Sequence, residues 1–198
     1  MYSQRDEEKY ILEFFGKALG KFLDIGAYDG KTFSNIYQLA LQKWSGVCVE
    51  PSPSVLPSLR SLYENNKNIW IVDKGVGLKR GEVLFYDFKG DAVSSFVKKH
   101  AETWRLGEGD KRNYRQIKIE VITVADLFKL VGTDFNFISI DAEGWSLRIL
   151  ENLPFKSLTD LTMICVEFDG EEQEVKSILK PYGFKQYHKT AENLILVR

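Results

Sequence analysis

The sequence predicts an α/β fold: a mostly parallel sheet with helices on both faces and one antiparallel strand in a C-terminal hairpin. Three observations carry that prediction. Short β-rich runs alternate with helical patterns along most of the chain, as βαβ units require. Acidic residues recur where the strand-like runs stop, at Asp24, Glu50, Asp73, Asp141 and Glu167. The chain closes on two strand-like runs, "GFKQYH" and "NLILVR", spaced to pair with each other.

The elements follow in order. Residues 1–20 hold an amphipathic N-terminal helix, with acids and bases ahead of it instead of a cationic start and a long apolar core. "KFLDIG" precedes a helix over 32–44, and "GVCVE" precedes a helix over 54–65 after the proline cluster "PSPSVLP". "NIWIVD" is a third strand, "FNFISID" leads into a helix over 145–152, and "LTMICVEFD" leads into a helix over 171–180. "GEVLFYDF" and "IKIEVITV" also read as strands, and the polar stretch over about 88–116 between them reads as an irregular lid or substrate-side segment. With 198 residues, 44% of them hydrophobic, one domain spanning 1–198 is expected.

Composition narrows the function classes. Lys plus Arg number 27 against 28 Asp plus Glu, so no strong field draws the chain to nucleic acid or to an anionic membrane. No run approaches the roughly 20 apolar residues of a membrane span. Cys48 and Cys165 lie singly inside apolar runs, where a small hydrophobe fits, and a reducing, cytoplasmic location is expected. No spacing of potential ligands defends a metal site, and oligomeric state is not written in the sequence.

Ligands of open α/β sheets gather at the carboxyl ends of the strands, which makes the strand-ending acids the informative residues. Gly26 and Gly30 are spaced GxxxG instead of GxGxxG, in a loop that also carries Asp24, Ala27 and Tyr28. Closely spaced glycines cradle a pyrophosphate at a helix start. This loop instead sets a bare backbone beside carboxylates, which suits a neutral or cationic nucleoside; an ordinary strand-to-helix turn is the alternative. Glu50 stands twenty positions after Gly30, the separation that brings an acid of the second strand to a ribose.

"FLDIGAYDG", "VCVEPSP", "GVGLKRGEVLFYDF", "ITVADLF" and "FISIDAEGWSLRILENL" resemble, in order and approximate spacing, the FkbM family of S-adenosylmethionine-dependent methyltransferases. The first two blocks are similar to class I methyltransferases generally, and "IDAEG" after "ITVADLF" narrows the resemblance to FkbM. It implies a Rossmann-like class I methyltransferase fold with seven strands. It also implies that the loop 24–30 holds the methionine portion of the cofactor and that Glu50 binds the ribose, flanked by Pro51 and Ser52. Asp73 and Lys74 would lie near the adenine, and Asp141, with Glu143 beside it, near the sulfonium and the reacting hydroxyl. The chain departs from the family pattern after "EG", reading Gly144-Trp145-Ser146 where a further acid often stands.

The expected activity is O-methylation of a small-molecule or glycan hydroxyl. Such a transfer consists mainly of alignment and of deprotonating the acceptor. The candidates for that chemistry are Asp141, Glu143, Glu167 and His188, the last expected in a turn at the ligand-bearing edge; Glu143 alternatively supports the turn at Gly144. Asp169 either pairs with Glu167 toward the acceptor or a divalent cation, or caps a helix, since Asp169 and Glu172 have capping-box spacing. His100 reads as a solvated surface residue. Lys98, Lys99, Lys111, Arg112 and Arg115, interleaved with Phe96, Trp104 and Tyr114, read as a grip on substrate or as a solvated flap, and Ser94 and Ser95 as a helix cap or a cofactor contact. The rival readings are a cofactor-binding module without turnover and an NAD-dependent oxidoreductase, against which the missing GxGxxG argues.

Overall fold

In the computed structural model, residues 1–106 and 113–198 are described, so the predicted grip residues Lys111 and Arg112 lie outside the described residues. The elements run α1 (Glu7–Phe15), β1 (Lys21–Ile25), α2 (Tyr37–Leu41), β2 (Ser45–Val49), α3 (Leu56–Tyr63) and β3 (Ile69–Val72). They continue with β4 (Gly75–Gly77), β5 (Gly81–Asp87), α4 (Lys98–Leu106), β6 (Arg115–Thr123), α5 (Val124–Val131) and β7 (Phe137–Ile140). The chain ends with α6 (Ser146–Glu151), β8 (Met163–Glu167), α7 (Glu172–Leu179), a short 3₁₀ turn (Lys180–Tyr182), β9 (Lys185–Lys189) and β10 (Asn193–Val197).

Seven strands form one sheet in the order β3-β2-β1-β7-β8-β10-β9. β3, β2, β1, β7 and β8 are parallel, whereas β10 runs antiparallel to both its neighbours, so the expected sheet and terminal hairpin are present. The period of two along each strand explains the two cores. Leu23, Ile25, Val47, Val49, Ile138 and Ile140 pack on the face covered by α5, α6 and α7. Phe22, Cys48, Phe137 and Cys165 pack on the other face against α1, α2 and α3. Burial on both faces is what makes these runs continuously apolar.

Several boundaries differ from the sequence reading for local reasons. The helix predicted over 32–44 is only α2, because Phe33 takes a positive φ of 57° and the Ser34 hydroxyl accepts from Ile36 N and Tyr37 N at 3.2 and 3.1 Å. These bonds hold residues 34–37 in a serine turn ahead of the helix. The N-terminal helix spans Glu7–Phe15 within 1–20, and its acidic start is buried. Glu7 accepts from Thr190 Oγ1 and Asn193 Nδ2, which docks α1 on the terminal hairpin. The stretch over 88–116 is not irregular throughout, since it holds α4.

"GEVLFYDF" and "IKIEVITV" do not join the large sheet. β5 and β6 pair antiparallel along Gly81–Asp87 and Arg115–Thr123, with β4 parallel to β6, in a separate three-stranded sheet. Asp87, fully buried at its end, ties this sheet to the loop after β2. It accepts from Ser54 Oγ at 2.8 Å, Arg115 Nε at 2.7 Å and Ser52 Oγ at 3.3 Å. Thr123 and Asp126 form a reciprocal capping box that starts α5.

Removing the cation from this network strands a buried carboxylate. Loss of a fully buried partner costs about 3–5 kcal/mol, and the Arg115 side chain is half exposed, so Arg115→Ala is expected to cost about 2 kcal/mol in denaturant unfolding. Arg115→Lys, which keeps a charge without the guanidinium fork, is expected to recover part of that loss. A change below about 0.5 kcal/mol in Arg115→Ala would show that the serine hydroxyls alone hold Asp87.

Candidate active site

The strand order reverses around β1 and β7, and the cavity lies where such reversals place ligands, outside the carboxyl ends of the parallel strands. Its volume is about 530 Å³, within the ordinary range for small-molecule sites. Asp24, Gly26, Ala27, Tyr28, Glu50, Pro51, Ser52, Lys74, Asp141, Glu143 and Glu167 all line it. Three predicted residues do not. Gly30 closes the loop behind the cavity, its amide donating to Ala27 O and its carbonyl accepting from Tyr63 OH. Asp73 turns outward into an ion pair with Arg60 at 2.7 Å. His188 lies within β9, stacked on Tyr10 of α1 and bonded to Asp6 at 3.1 Å, so its ring is taken up by the helix–hairpin contact.

Gly26 sets the geometry of the site. The loop after β1 passes so close to the loop after β7 that a Cβ on Gly26 would lie 1.7 Å from the Asp141 carbonyl oxygen, and its φ is +88°. No other residue fits there. Gly26 N and Ala27 N donate to Val49 O, and Asp141 N donates to Ile25 O, which locks three strand ends together.

Asp24 is placed by register. It pairs with Cys48 of β2 and Ser139 of β7, so it shares their face, buried beneath α1–α3. Burial pushes its carboxyl up to about 7, and only a hydrogen bond with Ser139 opposes this. Asn35 Nδ2 lies 3.4 Å from Ser139 Oγ and 3.5 Å from Cys165 Sγ, while its Oδ1 is buried without a partner. Glu50 accepts from Tyr28 N at 3.0 Å and Ser52 N at 2.7 Å, so its two oxygens tie the first loop to the second. Its value is also raised to about 7, first by burial, with the charges of Asp24 and Asp87 adding to the effect of burial and the two amides opposing it.

Across the cavity, oxygens of Asp141, Glu143 and Glu167 lie within 4.8 Å of one another. All three carboxyls are raised, first by burial; the charge of Glu143 adds to this at Asp141, those of Asp141 and Glu143 add to it at Glu167, and at Glu143 the bond and charge of His100 oppose it while Asp169 and Asp91 add to it. An acidic cluster is not by itself a cation site. Here Asp141 and Glu167 share a hydrogen bond, and Ser146 Oγ donates to Glu167 at 3.1 Å, so protons and a hydroxyl satisfy the pair. Asp169 is not the predicted cap, since α7 starts after Glu171 with no side-chain cap. Asp169 instead takes a positive φ of 47° and accepts from Gly144 N at 3.1 Å. Glu172 pairs with Lys176 and Lys189.

Glu143 and Gly144 both take positive φ, 46° and 86°. A left-handed glutamate costs on the order of 1 kcal/mol, and the turn is held from outside by Ser95 Oγ, which donates to Glu143 O at 2.6 Å. His100 of α4, read from sequence as surface, reaches the same turn. Its Nε2 lies 2.6 Å from Glu143 Oε2 and 2.9 Å from Trp104 Nε1, and both His100 and Trp104 line the cavity. Burial disfavours the imidazolium, but the bond to Glu143 and the charges of Glu143, Asp169 and Asp141 outweigh it and raise His100 above its ordinary value. The i, i+4 spacing of His100 and Trp104 was the one signal in the sequence for this pair. Asn35 and Ser139 carried none, because their roles come from strand register and packing.

Among the described residues, no helix is long and apolar enough to cross a membrane. No curated protein matches the chain. Solved structures with the same fold include a precorrin-6y C5,15-methyltransferase from Geobacter metallireducens GS-15 (TM-score 0.53, 12% identity, covering 100% of this chain and 89% of that one). A ribosomal protein L11 methylase from Lactobacillus delbrueckii subsp. bulgaricus is similar at TM-score 0.51 and 10% identity, over 96% of this chain and 74% of that one. Methyltransferase FkbM from Methylobacillus flagellatus KT is similar at TM-score 0.50 and 14% identity over 91% of this chain, which spans only 44% of that structure's length. The model of the methyltransferase FkbM domain matches residues 24–186, and the chain therefore belongs to the FkbM methyltransferase family.

Proposed function

We propose that this protein binds S-adenosylmethionine at the β1 and β2 strand ends and transfers its methyl group to a hydroxyl oxygen of a small molecule or glycan. The observation that carries the proposal is the pair of buried carboxyls, Asp24 and Glu50, raised to about 7 beside the bare backbone at Gly26, in a chain of this family. Acids held so far above their ordinary range lack a cationic partner, and the donor has an ammonium and a sulfonium to offer.

The chemistry of the lining residues fits that group. Asp24 would receive the cationic methionine end and Glu50 the ribose hydroxyls, since each carboxylate oxygen has a lone pair beyond the amide it already accepts from. Val76, Phe85 and Phe96 supply an apolar wall for the purine, where Asp73 had been expected to help. The orphaned Asn35 Oδ1 is an acceptor still in need of a donor. When bound, the cofactor supplies an electrophilic methyl on a charged sulfur. The protein's part is to align the acceptor oxygen and take its proton, for which Asp141, Glu143 and Glu167 are in reach of one another.

Calorimetry with S-adenosylhomocysteine tests the site map. Glu50→Ala is expected to weaken binding at least tenfold, and unchanged affinity would sink the ribose assignment. Incubating the protein with methyl-deuterated S-adenosylmethionine and the deproteinised small-molecule and glycan fraction of its own cells is expected to give a product three mass units heavier per transferred methyl than the unlabelled one.

Proton linkage gives a second test. Asp24 and Glu50 have folded values above their unfolded ones, so their contribution to stability is full below about pH 4 and is lost as pH rises through about 7. The melting temperature of the ligand-free protein is expected to fall between pH 5 and 8, and Glu50→Gln is expected to flatten that fall. S-adenosylmethionine binding at pH 7 is expected to release protons, read as a binding enthalpy that depends on the buffer.

A further inference from the structure

We propose that His100 is a positioning residue for methyl transfer: through Glu143 it carries the acceptor's proton out of the cavity to solvent. This rests on the methyl-transfer reading above. Three observations support it. His100 Nε2 lies 2.6 Å from Glu143 Oε2, and another Glu143 contact runs inward, its carboxylate lying within 4.8 Å of Asp141 and Glu167. His100 also lines the cavity while its side chain keeps 19% of its surface exposed, beside the exposed Trp104. The approach of the imidazole is built into the backbone. A Cβ on Gly144 would meet His100 Nδ1 at 3.3 Å, and the turn is fixed by bonds from Ser95 to Glu143 and from Gly144 to Asp169.

The 2.6 Å contact between Nε2 and Oε2 holds one proton, on either atom, and while it does Nε2 has no lone pair left for Trp104 Nε1. In the transfer, the methyl carbon's bond to sulfur breaks with its electron pair kept on sulfur, and a new bond forms to the acceptor oxygen. The O–H electron pair stays on that oxygen, and the proton passes to Glu143. Glu143 delivers it to neutral His100, which releases it to water. Among the described residues, the charged groups that act on His100 from the other elements are acids: Glu143 and Asp141, just past β7, and Asp169, after β8. They raise the affinity of the imidazole for the proton, so the transferring form prevails on the alkaline side of the raised value and the rate falls as pH drops through it.

The chain has only two histidines, His100 and His188, so imidazole NMR reads the pair directly, with His100→Gln assigning the signals. On the protein bound to S-adenosylhomocysteine, His100 is expected to titrate above about 6.5, and Glu143→Gln is expected to lower it. His100→Gln keeps a donor for Glu143 but cannot relay a proton. It is expected to hold S-adenosylhomocysteine affinity within twofold, to lose about 100-fold in labelled methyl transfer to the cell-extract fraction, and to lose the acid limb of the pH profile. His100→Asn, with a shorter amide, checks the same loss where the glutamine variant folds poorly. An unshifted His100 titration in Glu143→Gln, or wild-type transfer rates in a folded His100 variant, overturns the proposal. No transfer by the wild-type protein despite binding would instead overturn the methyl-transfer reading on which it rests.

Discussion

The constraint on which the site depends is the contact between Gly26 and the Asp141 carbonyl. Parallel pairing brings β1 and β7 together at the point where the strand order reverses, and the two loops leaving them diverge from there to opposite faces of the sheet. The crevice between those loops is the cavity. Its floor holds its shape because Asp141 N bonds back to Ile25 O while Gly26 N bonds to Val49 O, so neither loop can shift without breaking a strand-end bond. Five acids that line the cavity are placed relative to that floor: Asp24 one residue before the end of β1, Glu50 just past β2, Asp141 and Glu143 just past β7, Glu167 at the end of β8.

Gathering carboxyls in this way has an electrostatic consequence that sequence counting cannot anticipate. Separately, each would ionise in the ordinary carboxylate range. Brought together and dried, the carboxyls are pushed up, those of Asp24 and Glu50 to about 7 and that of Asp141 to about 8, and the fold tolerates them because amides, hydroxyls and protons meet them. A group held away from its preferred charge state answers strongly to a nearby cation. On the proposed reading, that response is what a cationic ligand would draw on.

What the sequence made legible was what repeats along a strand or turns at its end. Apolar runs in "FLDI", "VCV" and "FISI" marked strands buried on both faces, and the acids at their ends marked the edge where the cavity lies. Ends of elements were less legible where a side chain redirects the backbone, as Ser34 does before α2. Residues acting across the sheet were not legible at all. His188 sits at the same register level as Cys165 through Ile195, yet two strands further out, where Tyr10 and Asp6 take its ring. His100, distant in sequence from every strand of the large sheet, reaches Glu143 because α4 folds back over the β7–α6 turn. Beyond the i, i+4 spacing of His100 and Trp104, nothing in the sequence distinguishes the two histidines.

That contrast extends to the two halves of the cavity. The half formed by the β1 and β2 loops is fixed by backbone bonds among parallel strands, so a short motif specifies it. The opposite wall is carried by residues 88–106, whose course bends at Lys89 and Gly90, both at positive φ. Three contacts tie this segment to the two loops: Tyr28 OH donates to Gly90 O at 2.6 Å, Ser95 Oγ to Glu143 O, and His100 meets Glu143. The first tether joins the segment to the loop of Asp24 and Gly26, and the other two join it to the loop of Asp141. A displacement of the segment therefore acts on both loops at once, coupling the loop of Asp24 and Gly26 to the placement of Glu143. The wall around Glu143 is thus specified by how α4 and its flanking loop dock, not by a contiguous motif, which is why the same sequence that names the family leaves the acceptor of the proposed transfer unnamed.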